Sequence, residues 1–452
     1  MVNPTPDDTP SEPARPDLRL RAAAVVTMDP SGRIVTDGVV DVTGDTISWV
    51  GPAGEAPDPG GATVVDVGGL LLPGLVNVHC HSPMTLLRGA GEGLPLQQWL
   101  TGVMWPREAL MDPEDVWWGM TLAADELLRY GVTTTCEMYL WSESLGRAAS
   151  AAGLRSVVCA PIVDGPGWSR FGTWVEQARA ALTLEAAFAD DPLIEVGIAP
   201  HSAYTVPVEA LELAAEIASE HGMLLHTHVA ESRTEDTELR ERYGSVPRLF
   251  AQLGLLDLPR MLAAHCVWMD DHDLDLFAAS GSAVAHCPQS NAKIASGTAR
   301  LTDMIERGIT VGLGTDGPAS NNNLNLWEEI RLAPLVARLR NLDPEAVPAT
   351  SALAMATSEA AAALGRSDLG VLEVGRRADI IHLDLDDVAF VPTLEPTDIL
   401  SHLVWSVSPR AVTDVWVGGR RVVEDRRTLT VDTAEARAQV TERAARLARE
   451  AH

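Results

Sequence analysis

The chain has 452 residues, of which 46% are hydrophobic, so it is long enough for one large domain and a smaller one. Its formal net charge of −29 would repel a phosphate backbone or an anionic membrane, so we expect neither nucleic-acid nor membrane partners. The five cysteines are an odd number without a CxxC pair, which predicts reduced, buried thiols and a cytoplasmic protein.

The two ends of the chain predict one small domain. Residues 1–17 are rich in proline and acid and lack the basic start and apolar segment of a secretory signal, so we expect a disordered arm there. Strand-like runs rich in valine and isoleucine follow, and the same texture returns in residues 375–387 and 411–427. We therefore predict a β-sandwich built from both termini, over residues 18–70 and 366–430.

The middle of the chain, residues 71–365, alternates short apolar runs with longer amphipathic stretches. This pattern is typical of parallel strands buried on both faces and separated by helices. Eight such runs predict an α/β fold, a closed (β/α)8 barrel of the TIM type. Residues 431–452 have the alanine, arginine and glutamate content of a C-terminal helix. The predicted barrel strands span residues 74–81, 132–139, 155–162, 194–201, 223–230, 261–268, 281–288 and 310–317.

Histidines and acids fall at the carboxyl ends of these predicted strands, where barrel enzymes assemble their active sites. His79 and His81 end the first strand and, being two apart, face the same side, so both imidazoles can bind one metal ion. An HxH pair alone is about as typical of a structural histidine pair. His226 and His228 repeat the spacing, and Asp316 ends the last strand, where a buried carboxylate needs a cation or hydrogen bonds. The complete set is His79, His81, His201, His228, His265, His286 and Asp316.

Seven motifs occur in order along the chain: PGLVNVHCHSPMTLLRG, PHSAYTV, HTHVAES, AAHCVW, HCPQSNAKIASG, GLGTDGPASNNNLNLWEEIRLA and GRRADIIHLD. Together they resemble the amidohydrolase superfamily, in the adenosine-type branch that deaminates S-adenosylhomocysteine and 5'-methylthioadenosine. The resemblance covers nearly the whole chain. It implies metal-dependent hydrolytic deamination of an adenosine-type nucleoside (5'-methylthioadenosine, adenosine, 5'-deoxyadenosine or S-adenosylhomocysteine) to the inosine analogue and ammonia.

The resemblance implies that His79, His81, His228 and Asp316 are the protein ligands of one divalent ion. Three nitrogens and one carboxylate oxygen suit zinc, although iron(II) or another divalent ion binds the same set. Some amidohydrolases bridge two metals with a carboxylated lysine from the barrel. The only lysine here, Lys293, lies in a loop-like stretch after the seventh strand. We therefore expect one zinc ion per subunit.

The resemblance also implies three catalytic residues. Asp316 would accept a proton from the attacking water, and His265 would hydrogen-bond the attacking oxygen. Glu231, three residues beyond His228, would protonate the ring nitrogen beside the amine-bearing carbon. Outside the HxHxxE context, a solvated residue at a helix start would be the better interpretation of Glu231.

Substrate-binding residues are implied by position. Trp99 and Glu108 match an aromatic wall and an acid for the ribose hydroxyls in relatives, and His201 would contact the purine. Core packing for Trp99 and a surface position for Glu108 are the competing interpretations. Relatives that accept S-adenosylhomocysteine carry arginines after the third strand, but Ala160 stands at one such position and only Arg170 lies nearby. We therefore expect S-adenosylhomocysteine to be a weaker substrate than the other three nucleosides.

Roles are also predicted for several residues that lie beyond the strand ends. Trp168 would cover an apolar 5' group of the substrate. Ser290 and Asn291 would shape the rim through hydrogen bonds, and residues 321–323, three asparagines, are expected to cap the next helix.

Two other functions stay open. The chain could be a deaminase or hydrolase of a free base, a pterin or an s-triazine, which a cavity lined by Trp99 and Glu108 would argue against. It could also be a non-catalytic amidohydrolase-like scaffold, although such proteins usually lose the metal ligands that this chain retains. Relatives are often dimers or larger, so a homo-oligomer is expected by analogy only.

Overall fold

The computed structural model describes residues 16–451, which form two sheets and sixteen α-helices. The arm predicted over residues 1–17 lies outside this range except for its last two residues. Within the range, none of the helices has the length and apolar character needed to span a membrane. The strands are β1 Leu18–Val26, β2 Ile34–Thr43, β3 Thr46–Pro52, β4 Thr63–Asp66, β5 Leu70–Pro73, β6 Leu75–Cys80, β7 Val132–Met138, β8 Arg155–Ile162, β9 Ile194–Pro200, β10 Leu225–Val229, β11 Met261–His265, β12 Ala283–His286, β13 Val311–Leu313, β14 Ile380–Leu383, β15 Val412–Val417, β16 Arg420–Glu424 and β17 Arg427–Thr428.

The helices lie mainly between successive strands of the larger part of the chain. They are α1 Leu96–Trp99, α2 Trp105–Glu108, α3 Pro113–Arg129, α4 Ser142–Ala152, α5 Trp174–Ala187, α6 Val208–His221, α7 Arg233–Tyr243, α8 Val246–Gln252, α9 Asp271–Ser280, α10 Pro288–Lys293, α11 Leu301–Glu306, α12 Leu326–Asn341, α13 Ala349–Ala354, α14 Ser358–Ala363, α15 Asp398–Trp405 and α16 Thr433–Glu450. A π-helical turn, Leu100–Met104, joins α1 to α2.

Strands from both ends of the chain form a nine-stranded mixed sheet, ordered β17-β16-β15-β14-β5-β1-β2-β3, with β4 beside β1. The sheet curls until distant strands meet: Gly419, in the turn between β15 and β16, lies so close to β2 that a Cβ on it would be 2.8 Å from Val42 Cγ1. Buried side chains such as Leu20 and Trp416 share the core between its halves. This is the small sandwich predicted from the sequence. The division of the chain at residues 70–71 and 365–366 stays a prediction.

The second sheet contains eight parallel strands in chain order, β6 to β13, as expected for a (β/α)8 barrel. Each strand lies inside its predicted segment, because near-continuous apolar runs are what two buried faces require. Small side chains fill part of the interior, and the predicted burial of all five cysteines as free thiols is confirmed. The small interior residues include Cys136, Cys159, Ala199, Ala264 and Ala285.

The barrel is closed between β6 and β13 by hydrogen bonds that involve a side chain. Asn77 Nδ2 donates to Thr315 Oγ1 at 2.8 Å, and Thr315 N donates to Asn77 Oδ1 at 3.0 Å. The next residue along, Asp316, donates its N–H to His79 O at 3.0 Å. The contacts that close the barrel therefore also bring two predicted metal ligands together.

A bulge lies in β6 beside these ligands. Asn77 pairs with Thr135 of β7, and Cys80 pairs with Glu137, so β6 advances three residues while β7 advances two. A bulge re-aims a side chain without breaking the sheet. Here the irregular stretch contains His79, whose side chain points to the metal-binding residues.

Residues at or just beyond the ends of three barrel strands have left-handed backbone. The φ angles are +48° at Ala230, +71° at His265 and +59° at Asp316. Non-glycine residues rarely adopt this conformation, and those that do are concentrated at functional sites. Each of the three turns the chain sharply where the barrel rim begins.

Candidate active site

Four residues predicted as metal ligands meet at the carboxyl end of the barrel. His79 Nε2 lies 3.5 Å from Asp316 Oδ1, and His81 Nε2 lies 3.3 Å from the same oxygen. The ring of His228 lies 4.9 Å from that of His79 and 5.4 Å from that of His81, measured between centroids. Residues at the carboxyl ends of the first, fifth and last barrel strands therefore lie close together.

Backbone carbonyls orient two of these imidazoles. His81 Nδ1 donates to Met138 O at 2.5 Å, and His228 Nδ1 donates to His201 O at 2.7 Å. Because a carbonyl oxygen only accepts, each Nδ1 carries the proton. The lone pair of each Nε2 is therefore available for a metal ion.

A chain of two hydrogen bonds orients the third imidazole. His226 Nδ1 donates to Leu262 O at 3.0 Å, so His226 Nε2 is an acceptor. His79 Nδ1 lies 2.7 Å from this Nε2 and donates to it. Burial lowers the pKa of His226 to about 4, which keeps the ring neutral and able to accept. His79 Nε2 therefore also presents a lone pair.

The residues fit a divalent ion. Among the described residues, His79 Nε2 is buried and has no hydrogen-bond partner. The ligand atoms of His79, His81 and Asp316 lie within 4.8 Å of one another, and so do those of His79, His228 and His265. Burial holds the pKa of His79 and His228 well below the usual value, which favours the neutral form that binds metals.

Asp316 is held in place and stays ionised. Ser290 Oγ donates to its Oδ2 at 2.6 Å, and Gly317 N donates to its Oδ1 at 2.7 Å. Burial raises the pKa of Asp316, but the imidazoles around it, that of His79 above all, hold that pKa well below the usual range. A buried anion at this point favours a bound cation.

Glu231 differs from Asp316 in charge state. Burial and the charge of Asp316 raise the pKa of Glu231 to about 8, so its carboxyl group keeps its proton at neutral pH. His265 Nε2 lies 3.8 Å from Glu231 Oε1 and has no hydrogen-bond partner, while His265 Nδ1 donates to Asn291 Oδ1 at 2.9 Å. One cavity therefore holds an ionised and a protonated carboxyl group, as acid–base catalysis requires.

Three of the four predicted substrate-binding residues line this cavity: Trp99, Glu108 and His201. Trp99 Nε1 donates to Ala90 O at 3.2 Å. Burial raises the pKa of Glu108 to about 7, and a hydrogen bond from Tyr139 limits the rise. His201 Nδ1 lies 3.0 Å from Thr205 Oγ1. The competing surface position for Glu108 is excluded, because this residue is 5% exposed.

The fourth, Arg170, does not line this cavity. Its guanidinium donates to Ala109 O and lies over the rings of Trp141 and Phe171, at 5.7 and 5.3 Å from their centroids. The contact of Arg170 with substrate stays a prediction.

The sequence interpretation missed several supporting residues. His226, which orients His79, was recognised in the second HxH pair but was given no function. Glu235 was not singled out: its Oε2 accepts from Glu231 N at 2.8 Å, and burial raises its pKa to about 8. Tyr139, beside Glu108, carried no signal beyond its place at a strand end.

A sequence model of the amidohydrolase family matches residues 70–422. The chain belongs to the amidohydrolase family. The match extends from β5 to β16 and contains all the residues that meet at the barrel rim. This amidohydrolase is also similar over most of its length to curated relatives and to solved structures.

Two relatives are named 5-methylthioadenosine/S-adenosylhomocysteine deaminase. The one from Syntrophobacter fumaroxidans is 40% identical over 426 residues, covering 93% of this chain and 96% of the relative. The one from Moorella thermoacetica is 40% identical over 417 residues, covering 91% and 96%. Both alignments span the sandwich and the barrel.

Two solved structures have the same fold. An adenosine deaminase from Xanthomonas campestris with bound zinc superposes with a TM-score of 0.89 at 34% identity, covering 97% of this chain and 100% of its own. An atrazine chlorohydrolase from Arthrobacter aurescens complexed with zinc has a TM-score of 0.84 at 27% identity, covering 94% and 100%.

Proposed function

We propose that this amidohydrolase is a metal-dependent deaminase of adenosine-type nucleosides, which it hydrolyses to the inosine analogue and ammonia. The observation that carries the proposal is the pair of carboxyl groups in one cavity, Asp316 ionised and Glu231 protonated, beside three imidazoles with free Nε2 lone pairs. The names of the relatives from Syntrophobacter fumaroxidans and Moorella thermoacetica support the substrate class.

We assign His79, His81, His228 and Asp316 as the ligands of one zinc ion per subunit. Three neutral imidazoles and a carboxylate match the preferences of zinc, and iron(II) or another divalent ion is the alternative. Zinc in the similar Xanthomonas and Arthrobacter structures supports this choice. When bound, such an ion lowers the pKa of a water molecule toward neutrality and makes it nucleophilic.

Asp316 and Glu231 carry out the proton transfers of the proposed reaction. Asp316, ionised and fixed by Ser290, accepts the proton of the attacking water. Glu231 donates its proton to the ring nitrogen beside the amine-bearing carbon, which lets that carbon accept the incoming oxygen. His265 hydrogen-bonds that oxygen through its unpartnered Nε2. The proton held by Asp316 leaves with the amine as ammonia. The remaining proton of the added hydroxyl group passes to Glu231 as the carbonyl of the product forms, so both carboxyl groups return to their starting states.

Substrate selection rests on the far side of the same cavity. We propose that Glu108 binds the ribose hydroxyls, that Trp99 forms an aromatic wall and that His201 contacts the purine, because all three line the cavity with Asp316. The substrate-binding role of Arg170 stays a prediction. Arg170 does not line this cavity, which supports weak use of S-adenosylhomocysteine, whose carboxylate would lack a cation there.

The first experiment measures ammonia release by the zinc-reconstituted protein from a panel of candidate substrates. The panel contains adenosine, 5'-methylthioadenosine, 5'-deoxyadenosine, S-adenosylhomocysteine, guanine, 8-oxoguanine, cytosine, a pterin and melamine. Preference for the adenosine-type nucleosides is expected because Glu108 lines the cavity. Turnover limited to a free base, pterin or triazine would refute the substrate assignment, and no turnover with zinc bound would favour the scaffold function.

Cellular location and assembly stay predictions. The five free, buried cysteines agree with a reducing, cytoplasmic location. Homo-oligomerisation rests on analogy with relatives and is tested by the mass of the protein in solution.

A further inference from the structure

Glu231 lies in the short segment that joins β10 to α7, and it lines the cavity that contains Asp316, here called the catalytic cavity. No hydrogen bond to the Glu231 carboxyl group is present among residues 16–451. His265 Nε2 lies 3.8 Å from Glu231 Oε1, which is beyond hydrogen-bond distance. The place of this proposed proton donor is therefore set by the backbone that carries it.

The backbone of this segment is fixed on its carbonyl side by the chain that follows β11. Ala230, the residue before Glu231, has a left-handed φ of +48°. Its carbonyl oxygen accepts from Val267 N at 3.1 Å and from Trp268 N at 3.0 Å. These bonds leave the N–H groups of residues 230–232 to be bound from another direction.

Glu235, in the first turn of α7, binds the N–H side of the same segment. Its Oε2 accepts from Glu231 N at 2.8 Å. Burial and the charge of Glu231 raise the pKa of Glu235 to about 8, and the N–H groups of Glu231, Ser232 and Ala230 limit the rise. Successive N–H groups beside a left-handed residue form a concave site for oxygen acceptors. The carboxyl group of Glu235 occupies such a site, and the site is the backbone of the proposed proton donor.

The bond from Glu231 N to Glu235 departs from ordinary helix capping. Ser232 and Glu235 have the spacing of a capping box, in which the glutamate accepts from the N–H group of the N-cap residue itself. Ser232 is the N-cap of α7, and its Oγ accepts from Glu235 N at 3.2 Å. In α5 the motif is regular, because Glu176 Oε2 accepts from N of the N-cap Thr173 at 2.7 Å. In α7 the glutamate reaches one residue further, to the residue that carries the proton donor.

The two glutamates also differ in burial. Glu176 is exposed, whereas Glu235 is 1% exposed. Burial of a carboxyl group costs free energy unless its oxygens are bound, and Glu235 Oε1 is buried without a hydrogen-bond partner among the described residues. Capping does not require this cost, because the exposed Glu176 completes its capping box. The position of Glu235 therefore needs an explanation beyond the stability of α7.

We propose that Glu235 is a positioning residue for the deamination: it binds the backbone of Glu231 and so holds the Glu231 carboxyl group in the catalytic cavity. Glu235 does not line the cavity, so it acts through Glu231 and not through the substrate. This inference rests on the proposed function. A misplacement of about 1 Å at a reacting group can lower a rate roughly 100-fold, so loss of this bond is expected to lower kcat.

The test measures kcat and KM of the zinc-reconstituted enzyme for 5'-methylthioadenosine. Glu235→Met fills a similar volume without an acceptor and should lower kcat about 10–100-fold, while KM changes less than about threefold. Glu235→Gln keeps an oxygen acceptor for Glu231 N and should retain at least about a third of the wild-type kcat. Circular dichroism verifies folding, and Glu235→Leu replaces the methionine variant if that variant does not fold.

Two comparisons separate positioning from stability. Glu176→Ala removes the corresponding carboxyl group from the exposed capping box of α5, and it should lower Tm but leave kcat within about twofold of wild type. In a Glu231→Gln background, Glu235→Met should lower kcat less than about twofold further, because the group that Glu235 positions is already absent. A purely structural defect would lower kcat by the same factor in both backgrounds.

Three results would overturn the inference while the proposed function stands. These are wild-type kcat in folded Glu235→Met, equal losses in Glu235→Met and Glu235→Gln, and a loss in the Glu231→Gln background as large as that in the wild type. If the wild-type protein deaminates no adenosine-type nucleoside, the proposed function itself is wrong, and the inference falls with it. The expected pattern is a low kcat in Glu235→Met that the glutamine variant restores and that the Glu231→Gln background conceals.

Discussion

His226 should control metal affinity without touching the metal. In the wild type, Leu262 O fixes the proton of His226 on Nδ1, and His226 Nε2 fixes the proton of His79 on Nδ1. The variant His226→Phe keeps a ring in this place but removes the acceptor. In the metal-free variant, His79 can move its proton to Nε2 and escape an unsatisfied Nδ1–H. Metal binding must then reverse this change.

The cost of that reversal sets the size of the effect. A buried donor without an acceptor costs about 1–3 kcal/mol, which corresponds to roughly 5–150-fold in an equilibrium constant. Loss of a group that orients a metal ligand typically costs about 10–100-fold in affinity. We therefore expect the zinc dissociation constant of His226→Phe to rise about 10–100-fold, measured by competition with a chromophoric chelator.

The control is His286→Phe. His286 is also a buried imidazole at the rim, and burial lowers its pKa to about 4, but its Nδ1 has no partner and it does not contact a proposed ligand by a hydrogen bond. Its zinc affinity should stay within about threefold of wild type. Circular dichroism verifies that both variants fold. Wild-type affinity in a folded His226→Phe variant, or an equal loss in His286→Phe, would refute the tautomer argument.

Three further predictions concern catalysis, closure and the metal. Glu231 donates only when protonated, so kcat/KM of the wild type should fall as pH rises through about 8, and Glu231→Gln should lower kcat at least about 100-fold at pH 7. Asn77→Ala removes two hydrogen bonds that close the barrel and should lower the free energy of unfolding by about 2–5 kcal/mol, measured by urea denaturation. Removal of the metal by a chelator should abolish ammonia release and lower Tm, and added zinc should restore both.

Each of these has a clear contrary result. A pH-independent kcat/KM between pH 6 and 9 would show that Glu231 is not the proton donor. Wild-type stability in Asn77→Ala would show that the barrel closes without this side chain. Full activity of chelated protein, verified as metal-free by elemental analysis, would exclude a metal-dependent reaction.

The barrel could be predicted well from the sequence, but the strand ends could not. The strand β11 was predicted over residues 261–268 and ends at His265. The strand β13 was predicted over residues 310–317 and ends at Leu313. The apolar pattern continues past both ends because the following residues are also buried. The left-handed backbone of His265 ends the β11 ladder, and nothing in composition predicts that conformation.

The proposed metal ligands could be predicted from the sequence because histidines and an aspartate at strand ends indicate a metal site. The residues that orient these ligands could not, because they act through contacts between residues distant in sequence. His226 and His79 are 147 residues apart, and no local pattern links them. The asparagines at 321–323 were expected to cap the next helix, but Asn325 is the cap of α12. Asn321 instead donates to Thr315 O and Glu329 Oε1, which joins the loop after β13 to α12.

The side-chain closure between β6 and β13 also bears on how the protein folds. Asn77 and Thr315 are 238 residues apart, so their contact closes a long loop and carries a large entropic cost. Contacts of such high sequence separation generally form late, after the neighbouring strands have assembled in order. His79 and Asp316 become adjacent only at that step. A metal ion bound by both would then stabilise the final stage of folding, and metal capture would report the completion of the barrel.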